Sequence, residues 1–155
     1  MKMLLAVLLL ATFALAQHNM HDHDVKQHCA EAMGFDQDKT THHFVLTRDG
    51  GYVQVTANDA KDDVSIKQIR THLQEQAKKF AVGDFGAPER THSQVPPGVS
   101  TMQKLKSAIQ YRFQSIDRGG RLQIASKDPK AIAAVHDFLK FQISDHHTGD
   151  SVQVH

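Results

Sequence analysis

Tryptophan is absent from this 155-residue chain, and aromatic residues of all kinds make up only 6% of it. So few rings leave little on which nucleobases could stack. Neither sign of charge is in surplus. The formal net charge is +1, too little to draw the chain to nucleic acid or to an anionic lipid surface. Cysteine occurs once, so no intrachain disulfide can staple the fold. That residue, Cys29, could pair between chains, join its neighbour His28 on a metal, or do nothing. Recognisable catalytic patterns are also missing. Ser93, Ser100 and Ser126 lack the context of a nucleophile elbow, and no motif pairs the carboxylates. The glycine pairs at Gly50 and Gly119 precede strand-like rather than helical segments, so they are not phosphate loops. No reaction can be read from the chain.

Histidine is what the chain has in excess, with 12 of them. It is the commonest metal-ligating side chain. The N-terminus gives this excess a compartment. Lys2 lies in a short positive start, Leu4 to Leu15 form an apolar run broken only by Thr12, and Ala14 and Ala16 supply the small residues of a cleavage site. Residues 1–16 therefore read as a secretory signal peptide, and the protein as secreted or periplasmic. The apolar run is too short to cross a bilayer, and no second one follows. No membrane span is expected in the mature protein.

Residues 17–32 read as a flexible, histidine-rich tail holding His18, His21, His23 and His28, with Asp22 and Asp24 interleaved. Closely spaced imidazoles on such a segment bind Cu²⁺, Ni²⁺ or Zn²⁺ adaptively. After cleavage His18 would be the second residue, where it could chelate Cu²⁺ together with the terminal amine if Gln17 does not cyclise. One helical turn is expected at Cys29 to Met33, ended by Gly34, with Met33 and Phe35 packing on the domain.

Residues 33–150 read as a single α+β domain, with 151–155 as a C-terminal tail. Phe44 to Thr47 is a strand, Arg48-Asp49-Gly50-Gly51 a hairpin turn whose glycines supply positive φ, and Tyr52 to Thr56 the return strand. A helix capped by Asp62 or Asp63 runs from about Val64 to Ala81, with Ile66, Ile69, Leu73, Ala77 and Phe80 as its buried stripe. Val82 to Gly98 reads as a long connector. A short helix follows from Val99 to about Ile109, with Met102, Leu105 and Ile109 inward. The pattern then repeats: strand Gln110 to Ile116, turn Asp117 to Gly120, strand Arg121 to Ser126, and a helix opened by Asp128 and Pro129. Ile132, Val135, Leu139 and Ile143 repeat the first stripe. Two pseudo-symmetric β-hairpin–helix repeats imply a four-stranded antiparallel sheet packed by two long helices, plus a short connecting helix. Phe138 and Phe141 lie off the second stripe. Either the short helix or the N-terminal segment covers them, or they form a homodimer surface.

A set of motifs resembles a group of small exported bacterial proteins often labelled aspartate carbamoyltransferase. These are Met33-Gly-Phe, Thr41-His-His-Phe, Asp49-Gly-Gly, Ile69-Arg-Thr-His-Leu, Gly83-Asp-Phe, Val95-Pro-Pro-Gly-Val, His136-x-Phe-Leu-x-Phe-Gln-Ile and His146-x-Thr-Gly-Asp. The likeness runs from about Met33 to Asp150 and implies an exported bacterial domain. The transferase label has no support in the residues. Carbamoyl transfer needs clustered Arg, Lys and backbone donors on an anionic substrate, and the chain has no Ser-Thr-Arg-Thr loop to provide them.

Within the domain, His42 and His43 are strand neighbours and point to opposite faces, so they would not share an ion in regular geometry. His72, His92, His136, His146 and His147 are scattered. His72 and His136 sit near matching places on the repeat helices, though Arg70 is the nearer equivalent of His136. The sharp expectation is that His92 meets a helix histidine and either His146 or His43 in space. Three imidazoles about 2.0–2.1 Å from one ion would form a site. The plain alternative is that each bonds locally. The metal-ligand candidates are therefore His18, His21, His23, His28, His43, His72, His92, His136 and His146, with copper or zinc as the expected ion. The leading functional reading is a non-enzymatic metal-binding protein. The alternative is an interaction or dimerisation module using Phe138 and Phe141, and an enzyme ranks last.

Overall fold

A computed structural model of the chain describes residues 34–155. The signal sequence, the four tail histidines, Cys29 and the expected turn before Gly34 lie outside the described residues. Two hairpins build the sheet, β1 (Thr40–Thr47) with β2 (Gly50–Ala57) and β3 (Ile109–Ile116) with β4 (Gly119–Ser126). The order is β1-β2-β4-β3, antiparallel throughout, so the two return strands meet at the centre. This is the expected α+β sheet.

The long helices are α1 (Asp63–Ala81) and α4 (Pro129–Asp145). Asp62 caps α1 by accepting the Ser65 amide at 3.0 Å, and Asp128 caps α4 by accepting the amides of Lys130 and Ala131. These caps fill donors that a helix start otherwise leaves open. The stripe Ile66, Ile69, Leu73, Ala77 and Phe80 is buried, as are Val135, Leu139 and Ile143. Each helix crosses over to the other repeat. α1 lies on β3 and β4, and α4 on β1 and β2. Neither hairpin–helix unit covers its own sheet, which binds the halves into one core.

Arg70 and His136 show how closely the halves correspond. From α1, Arg70 donates to the carbonyls of Ile116 and Gly119 at the end of the second hairpin. From α4, the His136 Nε2–H donates to the carbonyl of Thr47, the matching strand end of the first hairpin, at 2.9 Å.

Gly50 takes the expected positive φ, at 140°, but the glycine pairs have a further role. The two-residue turns are Arg48-Asp49 and Asp117-Arg118, and the glycines already lie in the strands. They are needed because the backbone is crowded there. A Cβ on Gly51 would strike the Val45 carbonyl and Leu139 Cδ1, and one on Gly120 would come within 3.1 Å of Leu73 Cδ1. Leu139 and Leu73 are equivalent in the two helices, so each helix settles onto a bare glycine of the sheet.

Val82 to Gly98 is not wholly a connector, since it contains α2 (Gly86–His92). Pro88 is tolerated because it falls in the first turn, where its missing N–H has no intrahelical acceptor. The next helix, α3 (Val99–Lys104), is shorter than expected. A 3₁₀ turn at Lys106–Ala108 follows, and Ile109 belongs to β3. The C-terminal residues do not stand free. Val154 forms a parallel bridge with Leu46, and the His155 amide donates to the Leu46 carbonyl, covering the β1 edge. No described helix is long and apolar enough to cross a membrane.

Candidate functional site

Strand parity sorts the first histidine pair. Phe44 and Leu46 are buried beneath the helices, and His42 shares their parity, so its ring also faces inward. His43 faces the other side. Its Nδ1 lies 2.8 Å from an Asp150 carboxylate oxygen, while the other oxygen of that carboxylate accepts the Phe44 amide at 2.9 Å. Burial alone would raise the Asp150 pKa. The Phe44 amide, His43 and the Thr148 hydroxyl outweigh it and hold the group below the ordinary carboxylate value.

Inside, His42 joins three histidines from other elements around one cavity of about 80 Å³ between the sheet, α1, α2 and α4. His72 comes from α1, His92 is the last residue of α2, and His146 caps α4. Phe44, Val55, Leu122 and Phe138 supply apolar walls, and Gln76 and Gln142 face in from the two long helices. These glutamines occupy equivalent places in the repeats. A cavity of this size can hold water or a small ligand.

The imidazoles form a chain. The ring centres of His42 and His146 are 6.0 Å apart with planes 6° from parallel, and those of His146 and His92 are 5.1 Å apart with planes at 85°. His72 sits edge-on to Phe35, 5.7 Å between centres. Phe35 is buried, as expected of the segment entering the domain. His92 is fixed at both nitrogens, by Asp145 through Nδ1 at 2.5 Å and by Gln142 Oε1 through Nε2 at 3.0 Å. By contrast, His42 Nε2, Gln76 Oε1 and Gln142 Nε2 are buried without a hydrogen-bond partner. Such atoms carry a desolvation cost of about 1–3 kcal/mol each.

Burial decides the charge state of the rings. It lowers the pKa of His42 to about 4, helped by the positive charges of His72 and His43. It lowers that of His72 to about 4, helped by Lys79. It lowers that of His146 to about 3, helped by His42 and His92 and opposed by Asp145. At neutral pH these three rings are uncharged, each with one nitrogen lone pair. That is the form in which imidazole binds a cation.

The sequence candidates therefore divide. His72, His92 and His146 meet at the cavity. His43 and His136 do not, being held by Asp150 and the Thr47 carbonyl. His42, absent from the expected ligand set, belongs to the cavity. Its parity with Phe44 and Leu46 was the signal for it. Gln76 and Gln142 could have been found as equivalent polar residues of the two repeats. Asp145 had no signal, because its pairing with His92 depends on the unforeseen helix α2. Among the described residues, no three His, Cys, Asp or Glu side chains stand close enough together to hold one ion.

Of the two readings of Phe138 and Phe141, cover by neighbouring elements holds for Phe138. Phe138 is buried with Phe80 and Phe85, 6.2 and 6.1 Å away between ring centres. Phe141 is half-buried and meets the His92 ring edge-on at 5.0 Å. The shorter helices and the aromatic cluster cover this face, leaving Phe138 unavailable to a second chain.

No protein-family model, curated protein or solved structure matches the chain.

Proposed function

We propose that the protein is an exported, non-enzymatic binder of a transition-metal ion, copper or zinc, with its histidine-rich tail as a capture segment and the cavity as the folded holding site. The single observation behind this reading is the meeting of four imidazoles from four elements on one partly open cavity. Burial keeps three of them neutral, and one presents a nitrogen with no partner. A concave, mostly apolar space with a few inward polar groups is the usual form of a small-ligand site. Asp145 and Gln142 hold the fourth ring, His92, in place through its two nitrogens. Carbamoyl transfer gains no support from the lining, which contains no Arg or Lys.

Two measurements on the mature chain purified without an affinity tag test the proposal, metal analysis as isolated and titration with Zn²⁺, Cu²⁺ and, anaerobically, Cu(I). Binding of at least one of these ions with a Kd below about 10 μM supports it. Absence of binding by all three at that level overturns it.

A further inference from the structure

We infer that the open face of the sheet, opposite the helices, binds a carboxylate-bearing polysaccharide through Arg112 and Arg121. The face lies apart from the cavity, so its occupancy does not depend on metal binding. Strand parity defines it. Phe44, Val55, Leu122 and Ile124 are buried toward the helices. On the other side, Gln54, Arg121 and Gln114 form one row across three strands, and Tyr52, Gln123 and Arg112 form the next. Arg112, Gln114 and Gln123 are exposed, and Tyr52, Gln54 and Arg121 are half-buried.

The charge on this face is positive and has nothing beside it to neutralise it. None of the strands contains Asp or Glu, and Arg112 and Arg121 are the only Arg or Lys on them. Neither guanidinium forms an ion pair among the described residues. Asp49 and Asp117 lie in the turns at opposite ends of the sheet. Asp150, at the β1 edge, is taken by His43 and the Phe44 amide. A guanidinium matches a carboxylate with two parallel hydrogen bonds. Arg121 is already set in place. Its Nε and Nη2 donate to Gln54 Oε1 at 3.1 and 2.7 Å, and its guanidinium lies 4.2 Å from the centre of the Tyr52 ring. A side chain fixed before binding loses little rotamer freedom on binding. Arg112 stands diagonally across on β3, which puts the two Cα atoms about 7–8 Å apart. One chain carrying carboxylates can therefore meet both.

The glutamines select the class of anion. Gln114 lies opposite Arg121, and Gln123 opposite Arg112. Their exposed amides each offer donors and an acceptor, the combination that a sugar hydroxyl needs. A nucleic acid fits less well, because Tyr52 lies beneath Arg121 and leaves no ring on which a base could stack. A second copy packed face to face would set arginines against arginines. The net charge of +1 supplies no long-range attraction, so binding is by contact at the face.

The test is calorimetric titration of the mature chain with polygalacturonate at pH 7.5, in EDTA so that no metal bridges the two. A Kd below about 1 mM per site is expected. Arg112→Gln/Arg121→Gln should weaken binding by about tenfold or more, with circular dichroism unchanged. Lys67→Gln/Lys78→Gln, on the exposed side of α1, should bind as the parent does. Absence of binding, or an equal loss in the lysine variant, overturns the inference. So does dextran or polyglutamate binding as tightly as polygalacturonate, since the first needs no arginine and the second offers no hydroxyl. Should the double variant fail to fold, Arg112→Gln decides, because Arg112 is exposed and bonds only to Gln110, at 3.2 Å, among the described residues. Weaker binding by that variant supports the inference, and unchanged binding overturns it.

Discussion

Acidification should destabilise this protein well above the pH at which carboxylates titrate. His42, His72 and His146 have an ordinary value of 6.5, and in the folded protein they fall to about 4, about 4 and about 3. A group with a depressed folded value binds its proton preferentially in the unfolded chain. The stability it confers is complete above pH 6.5 and is lost as pH falls toward the folded value. Between pH 7 and pH 5 the unfolded chain gains about 0.7 of a proton on each ring, and the folded protein gains almost none. At 1.36 kcal/mol per unit of pH, each ring then favours unfolding by about 2 kcal/mol at pH 5. The rings are coupled and not wholly enclosed, so about 2–4 kcal/mol in total is the appropriate expectation for the three. Against a typical stability of about 5–15 kcal/mol, that loss is large. Urea unfolding followed by circular dichroism at pH 7, 6 and 5 measures it directly, with the slope against urea unchanged. The variant His42→Tyr/His146→Phe should show a much shallower dependence. Stability that is flat or rising from pH 7 to pH 5 would refute the argument, because it would mean that the rings are solvated or already paired with carboxylates.

The remaining predictions concern the packing that forms the cavity. Gly51→Val places its branches against the Val45 carbonyl and Leu139, and should lower stability by about 3 kcal/mol or more in urea denaturation. Arg70→Ala removes both bonds to the second hairpin and leaves the Ile116 and Gly119 carbonyls without the guanidinium. A loss of about 1–3 kcal/mol is expected, with His136→Ala costing less because it removes one bond. Phe138→Ser should destabilise the monomer by about 3–5 kcal/mol and leave its sedimentation behaviour unchanged. A dimer that dissociates on this change without loss of stability would restore the interface reading.

The sheet and the two long helices were legible because their signals are local and repeated. Alternation of Val53 and Val55, the 3.6-residue stripe from Ile66 to Phe80, and the caps Asp62 and Asp128 each act within a few residues. The glycine pairs were visible, but beyond the positive φ of Gly50 their purpose was not. Turn chemistry explains a Gly-Gly from nearby sequence, whereas Gly51 and Gly120 are required by Leu139 and Leu73 approaching from other elements. Helix α2 was hidden by Gly86 and Pro88, whose effect depends on their place in the first turn. The site was half legible. His72, His92 and His146 were singled out, yet which histidines share a cavity depends on the crossing of the helices over opposite hairpins. That crossing separates His136 from His72 despite their similar places in the repeats. His42 was recoverable from strand parity alone.

The central claim is that buried neutral imidazoles of the folded domain receive the metal. Long-range proton–nitrogen NMR spectra of the histidine rings of the mature chain with His18, His21, His23 and His28 changed to Ser, recorded at pH 7 before and after one equivalent of Cu(I), test it most directly. The account predicts large shifts of ring nitrogens among the cavity histidines His42, His72, His92 and His146, with those of His43 and His136 unmoved. Unchanged signals from all four cavity histidines after the addition would contradict it.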